Sequence, residues 1–316
     1  MNQEWVIFYQ NDLWRLAKLL KLRTDRRTTP TGQHVPLSGM MPGDSSMASI
    51  VQRIARQALI TFRSPPRFGD EPAKSFLENQ NKLRSLMTEI RASDLQLVPR
   101  RSDDIPSGLP YHDPPVTYMH ICETDQFSMG VFLLKNGASI PLHDHPGMHG
   151  MLKVMYGKVR ISCFDRLEQT DVPPPATPHQ VGSLRRSLLR STAEFTEESE
   201  PCVLSPDRDN LHQIDAVDGP TAFMDILAPP YDPDEDRDCH YYKVLAEEEV
   251  KTSEKDKEVW LMEISQPPDF WCGGEPYPGP EVCLWACRKT SPFLGLHLAQ
   301  GRGFIFGQWA INEGSL

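Results

Sequence analysis

The sequence predicts a mainly β protein, an antiparallel sandwich or barrel, with amphipathic helices packed outside it. From Val116 onwards, short strand-like runs follow one another, separated by turn residues and without intervening helices. The 29 prolines among 316 residues also favour turns and short strands over long helices. The chain is long enough for one large domain with appendages or for two modest domains.

Composition and charge narrow the classes of function. The formal net charge of −10 argues against nucleic-acid binding, because phosphate contacts need clustered Lys and Arg. No apolar run approaches the roughly 20 residues that cross a bilayer, so no membrane partner is expected. Seven scattered cysteines without a Cys-x-x-Cys pair or a signal peptide indicate a reducing compartment. We therefore expect a cytoplasmic protein, with the nucleus as a second compartment, and nothing demands more than a monomer.

Residues 1–46 are predicted to be a disordered N-terminal extension. The segment from Leu13 to Arg27 is amphipathic and basic, which leaves a mitochondrial presequence open. Glu4 and Asp12 spoil the acid-poor pattern of such peptides, however.

Two amphipathic helices are predicted within residues 47–95. In the first, 47–62, apolar residues recur at helical spacing after Asp44-Ser45-Ser46, which can cap it. The second runs from about Pro72 to Arg91. Each should lay one apolar stripe against a larger body, as packing elements without chemistry.

Residues 96–282 form the predicted β domain. Asn136-Gly137 is a strong hairpin signal, and Tyr156-Gly157 breaks a β-rich stretch into two runs. Residues 168–187 lack apolar periodicity and predict an excursion from the sheet.

Strand character resumes after this excursion. Residues 245–258 are a charged run that predicts a solvated segment, and 259–264 could form a last strand. Residues 283–316 form an atypical C-terminal tail.

Three histidines and an aspartate lie within the seven positions from His143 to His149. Residues two apart on a strand project from the same face, roughly 7 Å apart, so His143 and His145 point one way and Asp144 the other. Two imidazoles so placed can reach one ion such as Fe, Zn, Ni, Cu or Mn. The pattern predicts a metal site that needs a third ligand from elsewhere.

His212 is the best candidate for that third ligand, because it begins a strand-like run after a turn-rich segment. His149 is its competitor, and its neighbourhood alone does not exclude it. His120 and His240 lie in ordinary strand patterns, where a structural role is the simpler interpretation.

The motif around His143 resembles a known family. Gly137, five residues, His143-Asp144-His145 and a later Gly157 resemble the first motif of the cupin barrels, and Pro206 to His212 loosely matches the second. The glutamate that cupins place three or four residues later is absent, and such cupins resemble the thiol dioxygenases. The resemblance implies a single cupin barrel, a double-stranded β-helix or jelly roll, with Fe(II) held by His143, His145 and His212.

Longer stretches are similar to the cysteamine (2-aminoethanethiol) dioxygenases, animal relatives of the plant cysteine oxidases. "IPLHDHPGMHGMLKVMYGKVRISC" and "DFWCGGEPYPGP" are among them, and the likeness extends from about Met47 to Pro280. It implies that both atoms of O2 are added to cysteamine, giving hypotaurine, and to N-terminal cysteines of proteins, giving Cys-sulfinic acid. The chain would then sense oxygen for the Cys N-degron pathway.

The resemblance also assigns roles to Asp225, Cys239 and Tyr241. Asp225 matches an acid near the iron that could orient substrate, although a structural strand-end carboxylate is an equal alternative. Cys239 and Tyr241 match a pair that can form a thioether cross-link, and free neighbours are the alternative. Tyr231 lies in a loop that could border the cavity, but a plain loop aromatic is the simpler interpretation.

Two other functions stay open at this point. One is a non-catalytic metal-binding cupin, which would more often carry a DNA-binding or partner domain. The other is a different cupin enzyme, which would normally keep the carboxylate ligand.

Overall fold

The computed structural model describes residues 7–8, 48–100, 114–167, 183–245 and 257–284. The predictions for most of the N-terminal extension, for the excursion up to residue 182 and for the tail from residue 285 lie outside these ranges. Within them, no helix is long and apolar enough to cross a membrane.

Two helices precede the barrel, as predicted: α1 (Ile50–Thr61) and α2 (Lys74–Glu89). The cap of α1 differs from the predicted one, because the Ser49 side chain accepts a hydrogen bond from the backbone N–H of Gln52 at 3.3 Å. A 3-10 turn, Ala92–Leu95, follows α2.

Eleven strands lie within the described residues. They are β1 (Ile7–Phe8), β2 (Val116–Glu123), β3 (Ser128–Leu134), β4 (Ser139–His143), β5 (His149–Arg166), β6 (Leu184–Thr196), β7 (Cys202–Leu204), β8 (Leu211–Ala228), β9 (Tyr241–Leu245), β10 (Lys257–Ile264) and β11 (Cys272–Gly274).

The long strands β5 and β8 organise the sheet. The order β8-β4-β9-β10-β6-β5 closes into a six-stranded barrel, because β5 pairs with β8 along most of its length. The second half of β8 also pairs with β3, which continues through β2 to β11 and β1, while β7 pairs with β5. This mainly β architecture, the double-stranded β-helix, is the one predicted.

Two turn signals act differently from the prediction. Asn136-Gly137 does turn the chain, but β3 and β4 do not pair as a hairpin, because each pairs with a different half of β8. Tyr156-Gly157 does not end a strand, since β5 runs through it. The register shifts there, and Gly157 takes a φ of +75°. This glycine forms an irregularity that lets β5 continue across both halves of the fold.

The described ends of the predicted excursion and of the charged run belong to strands. Leu184 already pairs with Met262, so β6 begins inside the segment that was predicted to leave the sheet. Lys257 and Glu258, at the end of the charged run, belong to β10, where the exposed Glu258 side chain pairs with Arg186 of β6.

The core is divided by the alternation of side chains along the strands. Met151 and Met155 of β5 face the helices, in an outer cluster with Ile54, Leu83 and Met87. Leu152 and Val154 face the opposite way, in an inner cluster with Ile140, Ile161, Ile214 and Phe223. The helices therefore cover the outside of the sheet, as predicted.

Candidate metal centre and pocket

Three histidines converge on one side of the paired strands β4 and β8. His143 ends β4 directly opposite His212 of β8, and His145 follows two residues later. Each offers a ring nitrogen, and these nitrogens lie within 4.8 Å of one another. The ring centroids are 4.7–4.9 Å apart, and all three side chains are buried. Strand pairing thus brings the local pair together with the distant residue.

The three imidazoles are held neutral. Burial lowers the pKa of His143, and burial together with the neighbouring His143 lowers the pKa of His145 to about 3. Burial, followed by the charges of His145 and His143, puts the pKa of His212 well below its ordinary value. Neutral imidazole is the form that coordinates a metal ion.

The orientation of two rings is fixed by main-chain oxygens. Nδ1 of His143 lies 2.8 Å from the carbonyl oxygen of Pro141, and Nδ1 of His145 lies 2.8 Å from that of Asn210. Since a carbonyl only accepts, each Nδ1 carries the proton and leaves Nε2 free as a ligand. Metal-binding histidines commonly have such a partner. The donor set therefore fits a metal ion of the Fe, Zn, Ni or Cu type.

Asp144 points away from the three histidines, as strand alternation predicts. Its carboxylate accepts hydrogen bonds from the backbone N–H of His240 and from the hydroxyl of Tyr242, both at 2.9 Å, and pairs with Arg166. Burial acts to raise its pKa, but His240 and Arg166 outweigh burial and hold that pKa below its usual value. Asp144 is thus a buried anion behind the candidate ligands.

The structure places the competing histidine, His149, outside the group. Its Nε2 lies 2.8 Å from the carbonyl oxygen of Pro66, in the loop between the helices. Its ring centroid is 6.2 Å from that of Phe62 and 5.2 Å from that of Phe76. His149 therefore attaches the helices to the start of β5.

The two weaker candidates also lie apart from the three histidines. His120 faces Tyr118 of the same strand, with 6.3 Å between the ring centroids. His240 contacts the Asp144 carboxylate through Nδ1 at 3.2 Å.

A small pocket, partly open to solvent, borders the three imidazoles. The other lining residues are mostly apolar: Phe132, Ile140, Leu152, Ile214, Phe223 and Leu227, with Asp225 and Tyr231 as the polar exceptions. A small apolar pocket with a few convergent polar groups is typical of a site for a small ligand or the end of a chain.

Asp225 lies in this pocket, as the resemblance predicted. It belongs to the half of β8 that pairs with β3, where it stands opposite Gly130. Burial raises the pKa of its carboxyl to about 7, although the backbone N–H of Ile226 donates to it and opposes that effect. This carboxyl group can therefore change its charge near neutral pH.

Cys239 lies between two tyrosines. Its thiol is in hydrogen-bond contact with the hydroxyls of both Tyr231 and Tyr241, and burial raises its pKa, so the sulfur is protonated. Tyr241 begins β9 opposite His143, and their ring centroids are 6.5 Å apart. The predicted Cys239–Tyr241 pair is thus in contact, with Tyr231 as a further neighbour.

The interpretation of Tyr231 as a plain loop aromatic is wrong. Its ring lines the pocket, 5.7 Å from that of His145, and its hydroxyl donates to the carbonyl oxygen of Asp144 at 2.8 Å. Asn210, which supports His145, was also missed. A signal for either residue is hard to find in the sequence, because both lie in turn-rich segments without a strand pattern.

Comparisons with known proteins agree with this site. The family model PCO_ADO matches residues 86–282. A protein named 2-aminoethanethiol dioxygenase from Mus musculus is 57% identical over 257 residues, which cover 77% of this chain and 99% of the mouse protein. Its namesake from Homo sapiens is 55% identical over 273 residues, with the same coverage of 77% and 99%. Plant cysteine oxidase 1 from Arabidopsis thaliana is 32% identical over 215 residues, covering 64% of this chain and 71% of its own. The resemblance predicted from the sequence is confirmed.

Proposed function

The chain belongs to the PCO_ADO family and is a thiol dioxygenase, and we propose that it uses Fe(II) to oxidise two kinds of substrate. One is free cysteamine, which would become hypotaurine. The other is the N-terminal cysteine of proteins, which would become Cys-sulfinic acid. The observation that carries the proposal is the group of three buried, neutral imidazoles facing a small pocket that also holds Asp225.

The ligand set favours an anionic substrate. His143, His145 and His212 would hold the ion without adding negative charge, so a site with Fe(II) would keep its full charge until substrate arrives. Fe(II), when bound there, would supply coordination positions for a thiolate and for O2. A soft thiolate is therefore a better partner for this site than a neutral alcohol or amine alone.

The remaining residues bind and orient the substrate. The apolar walls formed by Phe132, Leu152 and Phe223 exclude water, which strengthens polar contacts inside the pocket. The Asp225 carboxyl can accept a hydrogen bond from the substrate amine. Tyr231 is fixed by its bond to the Asp144 carbonyl, so it acts as a rigid wall beside His145.

Both proposed substrates share the aminoethanethiol unit, so one pocket can serve both. A reaction that consumes O2 and modifies N-terminal cysteines would make the protein an oxygen sensor for the Cys N-degron pathway. We propose that it acts there as a monomer, in the cytoplasm and the nucleus.

The test is to load the protein with Fe(II) without air, and then to add air and either cysteamine or a peptide beginning with Cys. We expect a gain of two oxygen atoms, about 32 Da, on the sulfur of each. A peptide beginning with Ser is the matched control and should keep its mass. A non-catalytic metal-binding cupin would bind iron and leave both thiols unchanged, and that result would refute the proposal.

A further inference from the structure

We propose that Tyr118 is a specificity-determining residue for peptide substrates: its hydroxyl donates a hydrogen bond to the carbonyl of the first peptide bond, beside Asp225, which accepts from the amine. Cysteamine has the amine but lacks this carbonyl, so Tyr118 acts on peptides alone. The inference rests on the proposed oxidation of N-terminal cysteines.

The strand register places Tyr118 on the same wall as Asp225. Gly130 of β3 stands opposite His120 of β2 on one side and opposite Asp225 of β8 on the other. Residues paired in this way project from the same face of the sheet. Tyr118 is two residues from His120 on β2 and therefore shares this face.

Gly130 makes room for the tyrosine to reach across β3. A Cβ atom at Gly130 would lie 2.3 Å from Cε2, Cζ and the hydroxyl oxygen of Tyr118. The end of the phenol ring thus rests directly on the Gly130 backbone. Asp225 stands on the strand on the other side of Gly130, near enough for its charge to contribute to raising the pKa of Tyr118.

The Tyr118 ring is also continuous with the pocket wall. Its centroid lies 4.9 Å from that of Phe132, which in turn lies 5.3 Å from that of Phe223. Both phenylalanines line the pocket. Burial above all, followed by the charges of Glu123 and Asp225, raises the pKa of Tyr118, so the hydroxyl keeps its proton as a donor.

The pair of groups matches the start of a peptide chain. An N-terminal residue carries a donor, the amine, and an acceptor, the carbonyl, on the same carbon atom. The Asp225 carboxyl can take the donor, since the backbone N–H of Ile226 leaves it lone pairs for further bonds. The Tyr118 hydroxyl, on the sheet face that also carries the pocket residues Phe132, Phe223 and Asp225, can donate to the acceptor.

The test compares the wild-type enzyme with Tyr118→Phe, which removes only the hydroxyl. We expect kcat/KM for a peptide beginning with Cys to fall about three- to tenfold, the effect of one neutral hydrogen bond, with cysteamine unchanged. Binding of the peptide to the Fe(II) protein without air should weaken by the same factor. This second readout does not depend on turnover.

Two controls separate recognition from general damage. Tyr156→Phe removes another buried hydroxyl, in the outer cluster, and should affect neither substrate. A peptide whose first carbonyl is replaced by a methylene group should be a poorer substrate for the wild type and insensitive to Tyr118→Phe.

The outcomes are distinct. Equal losses for cysteamine and peptide, or no loss for either, would overturn the role of Tyr118 while leaving the proposed function intact. A wild-type enzyme that oxidises cysteamine but no peptide would overturn both the proposed peptide activity and this inference.

Discussion

Asn210 is joined to His145 by three hydrogen bonds. The Asn210 carbonyl oxygen faces Nδ1 of His145 at 2.8 Å, the Asn210 side-chain amide donates to the His145 carbonyl at 2.8 Å, and the His145 backbone N–H donates to Oδ1 at 3.3 Å. One residue thus fixes both the ring and the main chain of a candidate ligand.

Replacing Asn210 by Ala should weaken both the fold and the metal site. The carbonyl partner of Nδ1 would remain, but two buried main-chain groups of His145 would lose their partners. We expect the free energy of unfolding to fall by about 1–3 kcal/mol and metal affinity to fall on the order of tenfold or more. Denaturant unfolding and chelator competition measure these. Asn81→Ala, on the exposed face of α2, is the control and should change neither.

Separate substitutions of His212 and His149 by Ala should have different effects. His212→Ala removes one of three converging nitrogens, so bound iron should fall to a small fraction of the wild-type content. His149→Ala should keep its iron but lower the free energy of unfolding by about 2–4 kcal/mol, because the contacts with Pro66, Phe62 and Phe76 are lost. The iron content of the purified variants measures this difference. Loss of iron from His149→Ala would contradict the assignment of His212 as the third ligand.

The Asp225 carboxyl should make the metal-free protein less stable at high pH. Its pKa is raised to about 7 in the folded state, so folding favours the protonated form. Stability from this group is therefore present below the unfolded pKa, near 4, and is lost as pH rises through about 7. Asp225→Asn should remove this dependence and be more stable than the wild type at pH 8 by about 1–3 kcal/mol. Identical pH profiles of the two proteins would contradict the shift.

Gly157 and Gly137 allow a matched comparison. Both have positive φ, +75° and +72°, but a Cβ at Gly157 would lie 2.5 Å from the carbonyl oxygen of Pro220, while one at Gly137 would meet nothing within 4 Å. Gly137→Ala should lower the free energy of unfolding by about 1–2 kcal/mol, because alanine is strained at a positive φ. Gly157→Ala should cost about 2–3 kcal/mol more, because the backbone must shift. If thermal unfolding showed equal destabilisation by the two substitutions, β5 and β8 would be able to move apart at Gly157 with little loss of stability.

The contact between Cys239 and Tyr241 predicts a cross-link that mass spectrometry can detect. Joining the sulfur to the phenol ring removes two hydrogen atoms, and O2 as oxidant would take up the two electrons and two protons as hydrogen peroxide. After aerobic exposure of the iron protein, the intact mass should fall by two hydrogens. Cys239→Ser and Tyr241→Phe test the pair against Tyr231→Phe. If only Tyr231→Phe abolished the mass decrease, the cross-link would join Cys239 to Tyr231 instead of Tyr241.

The parts of the site that follow from local geometry could be predicted from the sequence. Strand alternation alone placed His143 and His145 on one face and Asp144 on the other. It could not choose between His149 and His212, because that choice depends on the pairing of β4 with β8, far along the chain. The resemblance to the thiol dioxygenases indicated His212 as the third ligand.

Other features depend on contacts that leave no local pattern. Asn136-Gly137 is a sequence typical of a hairpin turn, so it predicted that the two flanking strands pair with each other. Both strands pair with β8 instead. Tyr231 and Asn210 lie in turn-rich segments, and only the tertiary structure shows that Asn210 bonds to His145 and that the Tyr231 ring lies near it. The role of Gly130, which is to leave space for the Tyr118 ring, can be recognised only from the tertiary structure.

His212 and Asp225 stand on one strand, β8, whose two halves meet at Asp218 and Gly219, both with positive φ. The proposed metal ligand and the proposed substrate-binding carboxyl are therefore joined by a single stretch of backbone. A substitution or insertion at these two positions would change the spacing between His212 and Asp225 without replacing either residue. We therefore expect relatives with wider or narrower pockets to differ first at the positions of Asp218 and Gly219.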